Sequence, residues 1–273
     1  MSTFHEKLIS ASRKNTSLLC VGLDPDPALM PVKNVVEFNR AIIEATADLV
    51  CCYKPNLAFY ESMGYPGLET LKLTLEHIPN DIPVIGDAKR GDIGSTAQAY
   101  ASAMFQQWGF DALTVNPYLG MDALDPFFEY ADKGVLVLCH TSNPGAADFQ
   151  ELLVEQEGEY RPLYEYVALK ASAWNRHGNV GLVMGATYPQ QMQKVREICP
   201  DMLILAPGIG TQGGDLENTV KYGVNTNGEG LIINSSRSII FASKDSADYA
   251  EKAKLAAQEL RDSINRARSE IML

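Results

Sequence analysis

Short apolar runs and amphipathic stretches alternate along this chain from one end to the other. Residues 4–14 carry a helical repeat, and Leu18-Leu19-Cys20-Val21-Gly22-Leu23-Asp24 is a buried strand ending in an acid and stopped by Pro25 and Pro27. Val36, Asn39, Ile43 and Ala47 place a helix over about 34–47, and residues 49–53 form a second strand that runs into Lys54-Pro55-Asn56. A helix near 67–78 leads to a third strand at 83–86, and Ala97, Ala101, Met104 and Trp108 mark the helix after it. Five more strands are expected at 111–117, 134–139, 179–184, 202–206 and 230–234. Helices are expected on Leu163, Val167, Lys170 and Trp174, over 190–198, and over 246–268, where Ala250, Ala253, Ala257, Leu260, Ile264 and Ala267 form one packing stripe. Eight strands alternating with helices, with no linker between them, predict an α/β fold of the (β/α)8 TIM-barrel type. Such a barrel has its site at the C-terminal strand ends. We read residues 1–273 as a single domain with an acidic insertion at about 145–161 after the fifth strand; the alternative architecture is a doubly wound open sheet.

Composition narrows the classes of partner. Hydrophobic residues make up 46% and charged residues 21% of the 273, the proportions of a packed globular protein. A net charge of −11 argues against a broad nucleic-acid surface, which requires a basic face. No apolar stretch reaches the roughly 20 residues that span a bilayer, and residues 1–7 lack the basic-then-apolar order of a signal peptide, so a cytoplasmic protein without membrane contact is expected. The five cysteines, Cys20, Cys51, Cys52, Cys139 and Cys199, have neither CxxC pairing nor zinc-site spacing and read as reduced core thiols. His5, His77, His140 and His177 form no evident metal triad; only His140 falls near a strand end, as a satisfied loop residue or a substrate contact.

The candidate chemistry gathers at the strand ends. Asp87 and Lys89, two positions apart, point to one face of an extended backbone, and Asp92 follows one tight turn later. Taken in isolation, such a cluster is more often a solvated ion pair on a loop. In a barrel, however, Asp24, Lys54, Asp87, Lys89, Asp92, Ser142, Gln212 and Arg237 converge from six strands, which solubility alone does not explain. Together Lys54, Asp87, Lys89 and Asp92 would form one alternating network able to hold an ammonium as a proton donor. Ser235-Ser236-Arg237 and the loop from Pro207 to Asp215 follow the last two strands, where many barrels bind phosphate. Residues 208–213 also fit G-x-G-x-x-G, but late in the chain and without running directly into an amphipathic helix, so a dinucleotide site is not expected.

The run Asp-x-Lys-x-x-Asp-Ile-Gly-x-Thr over 87–96 resembles the motif of the orotidine 5′-phosphate decarboxylase family, and the likeness extends from Gly22-Leu23-Asp24-Pro25 to Ser235-Ser236-Arg237. The length, Tyr53-Lys54-Pro55-Asn56 and the insertion resemble its longer bacterial subfamily. The resemblance implies conversion of orotidine 5′-phosphate to UMP in pyrimidine biosynthesis, without metal or organic cofactor, with Lys89 protonating the carbanion-like C6. It further implies that Asp24 and Lys54 contact the ribose, that Ser142 reads the pyrimidine and that Pro207 and Gln212 belong to a lid. Ser236, where the family often has Gly, and Arg237 would hold the phosphate. Asp92, Ile93 and Thr96 would reach a neighbouring subunit's site, making a homodimer, and the insertion has no catalytic role assigned. Three alternatives remain open: a related Mg²⁺-dependent barrel enzyme, against which Lys54 has the wrong charge for a metal ligand, a Schiff-base aldolase using Lys54 or Lys89, and a nucleotide-binding barrel without turnover.

Overall fold

The computed structural model of the protein describes residues 2–156, 158–210 and 215–271. Eight parallel strands build its centre: β1 (Leu19–Gly22), β2 (Cys52–Lys54), β3 (Ile85–Arg90), β4 (Ala112–Val115), β5 (Gly134–His140), β8 (Val180–Met184), β9 (Leu203–Pro207) and β10 (Leu231–Ser235). Their order is β2-β1-β10-β9-β8-β5-β4-β3, and parallel bridges Tyr53 to Val84 and Asn56 to Asp87 join the two edges, closing the barrel. The remaining two, β6 (Leu153–Gln156) and β7 (Glu159–Pro162), pair antiparallel as a separate hairpin.

Strand alternation divides the core in two. Cys20, Cys52, Ile85, Ala112, Leu136, Leu205 and Ile232 belong to a cluster inside the barrel, while their neighbours Val21, Tyr53, Leu113 and Ile233 pack outward against the helices. Phe4 and Leu8 of the helix Phe4–Asn15 join the inner cluster, so this helix closes the N-terminal end. A capping box fixes its start, with the Thr3 hydroxyl accepting from the Glu6 amide and the Glu6 carboxylate from the Thr3 amide. All five cysteines are free and buried. Below the wall, Arg196 donates to the carbonyls of Cys199, Met202, Gly223 and Gly230, tying the connections into β9 and β10 together away from the site.

Three expected elements shift. The second strand begins at Cys52 rather than 49, because Leu49 and Val50, though buried, lie in a turn whose carbonyls are taken by Ser17 and Asn15 side chains. The third strand runs on through the charges to Arg90, so Asp87 and Lys89 stand within it and not after it. The insertion is not a plain loop: a 3-10 turn, Pro144–Asp148, leads into the β6–β7 hairpin. Helices Leu57–Glu61 and Met121–Phe128 are additional to those expected.

Candidate active site

The C-terminal mouth of the barrel opens into a cavity of about 300 Å³ whose lining includes Asp24, Lys54, Asp87, Lys89, Ser142 and Arg237. Pro207 and Ser236 also border it. Asp87 is the hub. Its Oδ2 accepts from Lys54 Nζ at 2.9 Å, and its Oδ1 accepts from Lys89 Nζ at 2.7 Å and from the Thr114 hydroxyl at 2.9 Å. Burial alone would push the Asp87 carboxyl up, but Lys54 and Lys89 together outweigh it and hold the group well below the usual carboxylate range. Burial likewise works to lower the Lys54 ammonium, and the Asp87 and Asp24 carboxylates reverse this, leaving it above the ordinary lysine range.

The two lysines differ in access. The Lys54 side chain is 4% exposed and the Lys89 side chain 48%. Both line the cavity, but Lys89 is the more open of the two, and the buried Asp87 carboxylate grips its ammonium from behind. Lys89 also has φ 47°, the left-handed region that side-chain-bearing residues rarely occupy, where the register between β3 and β4 shifts. Its backbone N–H donates to the Thr114 hydroxyl at 3.0 Å, so one hydroxyl holds both the strained backbone and the carboxylate that grips the side chain. Arg90 anchors the next residue, pairing with Glu61 and lying 5.2 Å over the Tyr100 ring.

Around this hub the expected residues take different places. Asp24, itself buried, accepts from the Asn56 amide at 3.2 Å. At the far end, Gly22 is required by a close approach, since a Cβ there would lie 1.9 Å from the Ser236 hydroxyl. Arg237 is exposed at the start of the short helix Arg237–Ile240 and, among the described residues, makes no ion pair. Asp92, Ile93 and Thr96 do not line this cavity. Asp92 does not join the Lys54–Asp87–Lys89 network within one chain: it lies beyond the end of β3, and its carboxylate accepts from the Ile93 amide at 2.8 Å. Gln212 lies outside the described residues. Lys54, a cation, stands at the end of β2 where a metal site would need an acid, and among the described residues no group of three or more His, Cys, Asp or Glu is placed to hold a metal ion.

Thr114 escaped the sequence reading. Its signal was a single polar residue in the run Ala112-Leu113-Thr114-Val115, and it acquires meaning only through register. Ile85 pairs with Ala112, which brings Asp87 beside Thr114 two residues further along. His140 is fully buried, with its ring edges against Tyr164 and Tyr188. It is therefore a packed wall residue and does not border the cavity.

A profile of the family described as orotidine 5′-phosphate decarboxylase / HUMPS matches residues 17–253. An orotidine 5′-phosphate decarboxylase of Dehalococcoides mccartyi is 54% identical over 266 residues, covering 97% of this chain and 98% of that protein. One from Thermomicrobium roseum is also 54% identical, over 276 residues covering 98% of this chain and 97% of that protein. Among solved structures, the OMP decarboxylase of Leishmania donovani superimposes with a TM-score of 0.87 at 41% identity, covering 98% of this chain and 99% of that one.

Proposed function

The chain belongs to the orotidine 5′-phosphate decarboxylase / HUMPS family and converts orotidine 5′-phosphate to UMP in pyrimidine biosynthesis; from that premise we propose that Lys89 is the proton donor. The observation that carries this reading is the half-exposed Lys89 ammonium held 2.7 Å from the buried Asp87 carboxylate. In the reaction the bond from C6 to the carboxylate breaks, its electron pair stays on C6, and CO₂ leaves. Lys89 then gives C6 a proton. Charge fixed in place before the substrate arrives requires no reorganisation as the carbanion develops, which is where such electrostatics are most effective. Asp87 orients the ammonium, Lys54 keeps Asp87 ionised, and Asp24 and Lys54 face the ribose. Ser142 borders the pyrimidine, and Ser236 and Arg237 take the phosphate beside Pro207.

Asp92, Ile93 and Thr96 complete the cavity of a second copy in a homodimer. Supporting this is an apolar face at the same barrel end, where Ile93, Tyr118 and Leu119 are 61%, 84% and 49% exposed.

Loss of orotidine 5′-phosphate absorbance, followed with EDTA present, tests the assignment. Wild type is expected to turn over and Lys89→Ala to lose at least about 10⁴-fold in kcat, as removal of a proton donor and its charge predicts. Activity that returns only with Mg²⁺ would favour the metal-dependent relative, and UMP binding without turnover a noncatalytic barrel. Mixed Lys89→Ala and Asp92→Ala chains should regain about a quarter of the activity, because each mixed dimer of a two-fold pair holds one intact site; no recovery would sink the shared site.

A further inference from the structure

We infer that the segment between β5 and the helix Leu163–Trp174 is a strap that positions the base-facing rim of the cavity, with Gln150 as its positioning residue. The rim is residues 141–143, all three of which line the cavity. Gln150 reaches back to it with both ends of its amide. Its Oε1 accepts from the Thr141 backbone N–H at 2.8 Å, and its Nε2 donates to the Thr141 hydroxyl at 2.9 Å. That hydroxyl donates in turn to Asn143 Oδ1 at 2.7 Å, so one side chain outside the barrel orders two of the three rim residues.

Gln150 is itself fixed. Its N–H donates to the Ala146 carbonyl at 2.8 Å, and its own carbonyl accepts from the Tyr164 amide at 2.9 Å, which clamps it between the 3-10 turn and the helix start. The neighbouring Glu151 lies 3.2 Å from His140 Nε2, docking the strap on the last residue of β5. The rim has little slack on its other side. The His140 carbonyl accepts from the Gly185 amide at 2.7 Å, and a Cβ on Gly185 would stand 2.7 Å from the Ser142 backbone nitrogen. Ser142 thus sits between the strap and a close backbone contact from Gly185, just beyond β8. Among the described residues, the strap's hydrogen bonds reach the rim and not Lys89 or Arg237, so it governs where the base lies and leaves the proton donor and the phosphate grip alone.

This inference rests on the reading that the rim borders the pyrimidine, and the test separates the two. Inhibition of turnover is measured with UMP, which carries the base, and with ribose 5-phosphate, which lacks it. Gln150→Ala is expected to weaken UMP about tenfold and raise KM similarly, the effect of losing two partly buried hydrogen bonds that order the rim. Ribose 5-phosphate inhibition should stay the same and kcat should change less than about twofold, as removal of uniform binding predicts. Gln150→Glu, which keeps an acceptor for the Thr141 amide, should recover most of the UMP affinity. Gln150→Met keeps the side-chain volume without the hydrogen bonds and serves if the alanine variant does not fold. Equal weakening of both inhibitors, or unchanged UMP inhibition, would overturn the strap's role. A wild type with no turnover and no UMP inhibition would instead overturn the functional reading, and this inference with it.

Discussion

The two ends of the cavity hold charge in opposite ways. At the β3 end, Asp87 is buried and engaged by Lys54, Lys89 and Thr114, all from the barrel wall. At the β10 end, Arg237 is exposed and, among the described residues, has no ion-pair partner. A charge cluster already satisfied by its own chain is set in geometry before substrate binds and can act on a transition state without rearranging. An open guanidinium gains its bidentate partner only when an anion arrives, so its interaction is available as binding energy for the reacting end. Chemistry is built into the wall, and grip is left for the ligand to complete.

Removing one group from each end gives the sharpest contrast. Lys89→Ala should lower kcat by about 10⁴-fold while changing UMP affinity far less. Arg237→Ala should lower kcat/KM by about 10² to 10³-fold, with much of the loss in KM, because phosphate binding is lost at a distance from C6. Steady-state kinetics with both variants decide this. Identical partitioning between kcat and KM would erase the distinction, and an unchanged kcat/KM in the second would remove Arg237 from the phosphate site.

A subtler change works within the β3 end. Thr114→Val keeps the shape but deletes the hydroxyl that Asp87 and the Lys89 amide share. A loss of about tenfold in kcat is expected, with KM nearly constant, and Thr114→Ser should restore it. Equal effects of valine and serine would reduce Thr114 to packing.

The smallest effect is in stability against pH. Asp87 titrates lower folded than unfolded, so its stabilisation is complete above the unfolded value of about 3.9 and is lost as pH falls through it towards the folded value. Lys54 has the opposite sense: its contribution is present below about 10.4 and is lost as pH rises past the folded value. Urea unfolding should therefore find the stability gap between wild type and Asp87→Asn narrowing by about 1 kcal/mol from pH 6 to pH 3. A constant gap would mean that Asp87 is not held ionised by its lysines.

Much of this contrast was readable before any coordinates. The short apolar runs and helical repeats predicted eight strands in the right order, and the spacing of Asp87 and Lys89 put both on one face. Boundaries failed where burial and hydrogen bonding disagree. Leu49 and Val50 are apolar and buried, as a strand requires, yet their carbonyls bond to side chains and not to a neighbouring strand. The hairpin at β6 and β7 was missed because its residues are mostly exposed, leaving no inward-facing stripe to reveal the period.

The sequence by itself determined the barrel, its polarity and the charged residues at its mouth, because strand and helix periods and strand-end motifs are local properties of the chain. Only the tertiary structure decided which of those charges meet. Thr114 became part of the site through the β3–β4 register, and Gln150 through a hydrogen-bonded return from a segment with no strand of the barrel in it. Asp92, three residues from Lys89 in sequence, leaves that lysine's cavity altogether. Contacts between elements depend on register, closure and backbone turns, and a residue's type carries no record of which neighbour the closed barrel will bring within 3 Å.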